Sequence, residues 1–215
     1  VKILKLTQGS PDWLAWRQLG IGGSDAPIIM GVSPYSTREK LLGQKLGLVP
    51  KDEAYAMRRG SRLEPSARGM YQIREGYSSA EPVCVIHPDF DWCRASLDGL
   101  VLGAMDQPSH VLEIKCWSWQ KHDYVLNGIV PDEVYPQIQH QLFCCELDRC
   151  DLVSYNPSEK FLATGEEYAC LTVKADATYQ ASMFAEECKF WEELNERLRA
   201  RTVRSGWQAP ITEDL

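Results

Sequence analysis

The order of segments predicts an α/β (α+β) fold, a mixed central sheet flanked by helices with a helical N-terminal part. Three observations predict it. Residues 10–75 carry repeated helix caps and helical spacing of apolar residues. Residues 82–115 switch to short β-branched runs broken by small and turn-forming residues. From Pro136 onward helical and strand signals interleave, ending in a long amphipathic stretch. Helices first, then strands among helices, describe one layered domain over 1–215. Residues 1–75 are its mainly helical part, 80–175 the sheet core and 176–201 a C-terminal helix.

Ser10 followed by Pro11 opens the first helix, since a serine hydroxyl caps free N–H groups and proline fits the first helical position. Gly20-Ile21-Gly22-Gly23 ends it, and Ser24 is the expected cap of a second helix running to Met30. Ser36 or Thr37 caps a third, stopped near Gly47 and Pro50. Residues 54–75 form a longer helix with Glu64, Ala67, Arg68 and Tyr71 at helical spacing, and Pro65 predicts a kink or a fresh start within it. Strands are expected at 82–86, 92–96, 100–102 and 110–115, the first of them forming a meander. A helix over 136–147, strands over 151–155 and 169–173, and a helix over 176–201 complete the chain. Tyr179, Met183, Phe190, Trp191, Leu194 and Leu198 lie near one stripe of that last helix. The segment after Gly206 is expected to be loose.

Composition excludes several classes. Of 215 residues, 44% are apolar and 25% charged, ordinary globular values that argue against disorder and fibrous repeats. No apolar run approaches the ~20 residues of a membrane-spanning helix. The stretch Val1 to Lys5 lacks an export signal's apolar run, so a reducing, cytoplasmic setting is expected for the eight cysteines. They show no CxxC pair. His140 and Cys144 share a helical face, as zinc ligands can, but buried small hydrophobes are the favoured reading. The net charge of -7 argues against nonspecific coating of DNA while permitting a local basic groove.

Chemistry is carried by Ser96-Leu97-Asp98-Gly99 and, beyond it, Glu113-Ile114-Lys115. Side chains alternate along a strand, so Glu113 and Lys115 point one way and Ile114 the other. Asp98, on a neighbouring strand, can reach the same spot. Two close carboxylates need a cation, and hard oxygen ligands suit Mg²⁺ or Mn²⁺. Such an ion lowers the pKa of a bound water and polarises a phosphoryl oxygen, while a lysine orients that water. The same trio can also be a surface strand carrying an ion pair. The apolar neighbours Val111, Leu112 and Ile114, a third carboxylate at Glu64 and the amides of Gln137, Gln139 and Gln141 favour the catalytic reading.

These segments occur in an order that resembles a known family. Trp16-Arg17, Gly20-Ile21-Gly22-Gly23-Ser24-Asp25, Arg59-Gly60, Leu63-Glu64-Pro65, Ser96-Leu97-Asp98-Gly99, Glu113-Ile114-Lys115 and Tyr135-Pro136-Gln137-Ile138-Gln139 resemble the lambda-exonuclease/YqaJ family of phage recombination nucleases, from about residue 8 to 157. The resemblance implies a PD-(D/E)xK, restriction-endonuclease-like core and Mg²⁺-dependent 5′-to-3′ digestion of one strand of duplex DNA, leaving mononucleotides and a 3′ overhang. It places metal ligation, of two ions, on Asp98, Glu113 and the Ile114 carbonyl, and the catalytic lysine on Lys115. The helical acidic residue falls on Glu64 and the glutamine on Gln139, with Gln137 the near alternative. A 5′-phosphate site falls on Arg17 and Ser24, behind a glycine-rich turn whose simpler reading is a helix–helix connection. The family's lambda type also implies a homotrimeric ring, with Arg38, Lys40, Lys45, Arg58, Arg59 and Arg62 as candidate inner-surface cations, and Met57 as a strand wedge or a packing residue. A single-strand annealing protein is the implied partner, and no iron–sulfur cluster is expected from the cysteine spacing. Two alternatives stay open, an endonuclease of restriction or repair type on this fold and a noncatalytic scaffold that binds DNA ends.

Overall fold

The computed structural model describes residues 1–50, 55–77 and 80–205, excepting the side chains of 55–58 and 202–205. Met57 and Arg58 therefore lie outside the described side chains, and the segment after Gly206 outside the described residues. Among the described residues six strands form a single sheet in sequential order. They are β1 (Lys2–Leu4), β2 (Ala80–Ile86), β3 (Arg94–Leu102), β4 (Pro108–Lys115), β5 (Arg149–Tyr155) and β6 (Tyr168–Lys174). β1 to β4 are antiparallel neighbours, β4 and β5 run parallel, and β6 returns antiparallel to β5. The parallel step needs a crossover, supplied by α5 (Trp119–Leu126) and α6 (Tyr135–Cys145).

The N-terminal helices are α1 (Pro11–Gln18), α2 (Ala26–Ile29), α3 (Arg38–Lys45) and α4 (Tyr55–Glu75); α7 (Glu159–Thr164) and α8 (Ala177–Ser205) complete the set. Ser10 caps α1 by accepting from the Trp13 N–H, and Thr37, not Ser36, caps α3 by accepting from the Lys40 N–H. Ser24 does not cap α2; Asp25 occupies that position, and the Ser24 hydroxyl faces Arg17 instead. α4 runs through Pro65 without a break. The two segments expected at 92–96 and 100–102 are one strand, because Asp98-Gly99 is extended and does not turn. A Cβ at Gly99 would meet the Ala80 carbonyl at 2.9 Å, so glycine here serves close strand packing.

The sheet is buried on both faces. On one, Leu97, Val111 and Leu152 pack against Ile138 and Leu142 of α6. On the other, Leu112, Ile114 and Val153 pack against Ala67 and Tyr71 of α4. A third cluster joins Ile21, Leu41 and Leu42 to Phe190 and Leu194, so α8 ties the N-terminal helices to the core. Of the α8 stripe, Met183, Phe190 and Leu194 are buried while Leu198 is exposed.

Candidate active site

Two strands and two helices bring the site together. Gly99 pairs with Leu112 across β3 and β4, which sets Asp98 at the level of Glu113. Beyond this pair the Asp98 carboxylate takes over from the ladder, accepting from the Ile114 N–H at 2.7 Å. Lys115 Nζ lies 2.7 Å from Glu113 Oε1, as the i, i+2 alternation expects. Removal from water, reinforced by the Glu113 and Glu64 carboxylates, pushes the Asp98 carboxyl well above its ordinary range. Burial works to lower the Lys115 ammonium, but Glu113 and Asp98 outweigh it and hold the pKa above the ordinary value. The centre is a knot of negative charge held by one lysine.

α6 supplies the amides. Gln137 donates to Glu113 Oε1 at 2.6 Å and accepts from Lys115 Nζ at 3.0 Å, so one side chain spans both partners. Gln141 donates to Glu113 Oε2 at 2.6 Å. Gln139 does not reach the site, a correction to the sequence reading. Its amide donates to the Lys174 carbonyl and accepts from the Asp176 N–H, locking the start of α8. The reason is helical geometry, since two residues along turns the side chain about 200° around the axis while four return it to the same face. Gln141, one of the three amides that the sequence offers, lies about one turn from Gln137 and shares its face.

α4 contributes Glu64 from the opposite face. Arg68, one turn on, reaches the Glu64 carboxylate at 2.5 Å and gives two further hydrogen bonds to the Asp98 carbonyl at 2.8 and 3.0 Å. It joins the two acidic residues, and its i, i+4 spacing from Glu64 was the signal that sequence reading passed over. Arg59 faces inward as well. It donates to the Cys116 carbonyl, to the Trp117 carbonyl at 2.7 Å and to Asn156 Oδ1 at 3.2 Å, clamping the exits of β4 and β5.

Arg17 and Ser24 meet, as Arg17 donates to Ser24 Oγ at 2.8 Å. Their turn adjoins the carboxylate centre. A Cβ at Gly23 would stand 3.2 Å from Gln141 Cγ and 3.4 Å from Gln137 Cγ, so the backbone lies directly on the amide-bearing face of α6. Several of the proposed inner-surface cations have other employment. Lys45 is buried against Asp25 at 2.7 Å, Arg38 pairs with Glu193, and Arg59 serves the strand ends. Lys40 has a partner as well, whereas Arg62 is exposed on α4.

The donor set suits a small divalent cation. Asp98, Glu113 and the Ile114 carbonyl are hard oxygen donors, and the crowding of carboxylates that raises the Asp98 pKa would be relieved by a cation. Among the described residues no group of three His, Cys, Asp or Glu side chains forms a ready cage. That agrees with the hydrogen bonds above, which occupy Glu113 and Glu64. Mg²⁺ keeps several waters and needs only one or two carboxylates, so the site fits it without a cage. The His140 face fits no metal. Its Nδ1 lies 2.7 Å from Glu187 Oε1 and its Nε2 2.9 Å from the Arg94 carbonyl, so both nitrogens are engaged by acceptors.

Comparison with known proteins places this arrangement in context. The model of the YqaJ-like viral recombinase domain matches residues 12–148. The uncharacterized protein YqaJ of Bacillus subtilis (strain 168) is 31% identical over 134 residues, covering 61% of this chain. The match spans 41% of that relative's length. The alkaline exonuclease LHK-Exo from Laribacter hongkongensis superposes with a TM-score of 0.76 at 27% identity, over 92% of this chain and 98% of its own. Its complex with dAMP gives the same figures. A phage related exonuclease from Haemophilus somnus 129PT, 13% identical, shares the fold with a TM-score of 0.58 over 86% of this chain and 96% of its own. The fold is of the PD-(D/E)xK type, a mixed sheet with the acidic pair at the β3–β4 junction. With its match extending from the first helix to the end of α6, the chain belongs to the YqaJ-like viral recombinase domain family.

Proposed function

We propose that the protein is a Mg²⁺-dependent nuclease that degrades one strand of linear double-stranded DNA from its 5′ end, for recombination of the phage type. The observation that carries this reading is the packing of the Gly20–Ser24 turn on α6, which puts the Arg17–Ser24 pair beside the Asp98–Glu113–Lys115 centre. A terminal-phosphate site next to a hydrolytic centre suits removal of one nucleotide at a time. LHK-Exo has been solved with dAMP, a mononucleotide of the kind such a reaction releases.

In this mechanism Asp98, Glu113 and the Ile114 carbonyl would hold the divalent ions, two as the family resemblance implies, with Mn²⁺ able to substitute. Bound there, such ions would supply an acidified water and charge stabilisation on the phosphoryl oxygens. Lys115 offers N–H donors that orient the attacking water and meet the charge growing on the phosphate. Gln137 and Gln141 fix the Glu113 carboxylate, and Gln137 also aims the lysine. Glu64, in the grip of Arg68, completes the acidic wall. Arg17 is suited to a phosphate because its guanidinium offers a fork of donors, and Ser24 Oγ already lies within its reach.

The product is mononucleotides and a 3′ single-stranded overhang, a substrate for a single-strand annealing protein. Assembly into a homotrimeric ring would gather the exposed cations of three copies around DNA. No helix among the described residues is long and apolar enough to cross a membrane. The proposed setting is the cytoplasm of a bacterial host, with the protein itself of phage or prophage origin.

Linear duplexes with 5′-phosphate or 5′-hydroxyl ends, and closed circles, tested in Mg²⁺ or EDTA with each 3′ end labelled, decide the reading. Mg²⁺-dependent loss of the 5′-ended strand with circles untouched is expected. Cutting of circles would make the protein an endonuclease, and binding without cutting in any metal would make it a scaffold. Asp98→Ala is expected to abolish cleavage and to spare DNA binding; retained cleavage would overturn the site assignment.

A further inference from the structure

We infer that Asp25 and Lys45 are positioning residues for end recognition, a buried pair that shapes the Gly20–Ser24 turn so that Arg17 and Ser24 select a phosphorylated 5′ end. The inference rests on the reading that Arg17 and Ser24 receive that phosphate.

The pair ties the turn at four points. Lys45 Nζ, on α3, reaches Asp25 Oδ2 at 2.7 Å, the Gly20 carbonyl at 2.7 Å and the Arg17 carbonyl at 3.1 Å, which uses its three donor hydrogens. Asp25 Oδ2 also accepts from the Gly22 N–H at 2.9 Å. Both side chains are nearly closed to water, at 8% and 6% exposure. The stretch from Arg17 to Asp25 is thus tied by one ammonium and one carboxylate, beside the backbone bridge that Ile21 makes to the Trp92 carbonyl and the Arg94 N–H at 2.7 and 2.9 Å. Gly20 has no room for a side chain, because a Cβ there would stand 2.3 Å from the Trp92 carbonyl.

Electrostatics require both members. Asp25 directly follows Ser24, so an uncompensated carboxylate there would repel a phosphate dianion and draw Arg17 toward itself. Lys45, in direct contact, offsets the larger share of that charge and Arg17 a smaller one through space, so the Arg17 guanidinium stays hydrogen-bonded to Ser24, where a phosphate would meet it. A buried ion pair is seldom the most stable filling of a core site, since well-packed apolar residues often do better. Its use here is placement. Lys45, expected on sequence grounds to face DNA, acts instead from beneath the surface that does.

The test compares kcat/KM on duplexes bearing 5′-phosphate and 5′-hydroxyl ends in Mg²⁺. The wild-type protein is expected to prefer the phosphate. In D25N/K45M, where Asn keeps an acceptor for Gly22 and Met keeps the stem, that preference is expected to fall about tenfold, the scale of one charge-assisted hydrogen bond, chiefly through KM. K45Q, which retains donors for the two carbonyls but leaves Asp25 uncompensated, is expected to lose preference similarly and serves if the double variant does not fold. A thermal melt followed by circular dichroism separates folding from recognition. An unchanged preference in a folded variant, with both substrates slowed alike, would reduce the pair to a structural role and overturn the inference. A wild-type protein indifferent to the end group would instead overturn the Arg17–Ser24 reading itself.

Discussion

At the residue scale, the candidate site separates groups that touch the Asp98–Glu113–Lys115 cluster from groups that merely share a helix with them. Gln137 and Gln139 have the same chemistry and nearly the same sequence position, yet only Gln137 bridges Glu113 and Lys115. Gln137→Ala is expected to lower kcat about tenfold or more, because it frees both the carboxylate and the ammonium from their common tether. Gln139→Ala is expected to leave kcat near wild type and to destabilise the fold by about 1–3 kcal/mol, the cost of stranding the Asp176 N–H and the Lys174 carbonyl. Steady-state kinetics beside thermal melts check both. Equal kinetic losses would mean that the site tolerates no disturbance of α6 anywhere, and the distinction would fail. Asp98, Glu113 and Lys115 were legible because strand alternation and charge cost act locally. Arg68 was harder to read, since its target is a carbonyl that any residue could have presented.

At the element scale, what decided success was whether an element's signals lay within itself. α1 and α3 announced their caps, and β4 its alternation. β3 hid its continuity because Asp98-Gly99 imitates a turn; only the neighbouring Ala80 carbonyl explains the glycine. The sequence reading did not find β1, α5 or α7, which are 3, 8 and 6 residues long and owe their form to what they pack against. α6 and α8 illustrate the same dependence through their buried contact, His140 on Glu187. Burial tends to lower the His140 pKa, but the Glu187 carboxylate outweighs it and raises the value to about 9 from an ordinary 6.5. A raised histidine stabilises the fold fully below its unfolded pKa and loses that contribution as pH climbs through the folded one. Stability is therefore expected to decline from pH 6.5 to about 9. Glu187→Gln should cost about 3–5 kcal/mol at neutral pH, the loss typical of breaking a buried pair, and should flatten this decline. Melting temperatures across the range check it, and a wild-type profile flat between those limits would mean that the imidazole is neutral.

At the scale of the whole molecule, the layered α/β arrangement was readable from the succession of segments, since helices before a meander leave few ways to cover a sheet on both faces. Its electrostatic surface was not readable, because a cation's availability depends on tertiary partners. Lys45, Arg38 and Arg59 are each engaged within the chain, and the overall charge is -7. A protein so arranged has few cations to spend on phosphates, and Arg17 and Arg62 are the described arginines best placed to do so. Each phosphate neutralised contributes about -0.9 to the slope of log affinity against log salt. Two or three contacts therefore predict a slope near -2 to -3, far shallower than that of a protein coating a DNA face. Fluorescence anisotropy on a labelled duplex end in EDTA, over a series of salt concentrations, measures it. A slope steeper than about -6 would mean that about seven cations meet phosphates, well beyond Arg17 and Arg62. Mass measurement at the same protein concentrations would then show whether copies assembled into a ring supply them.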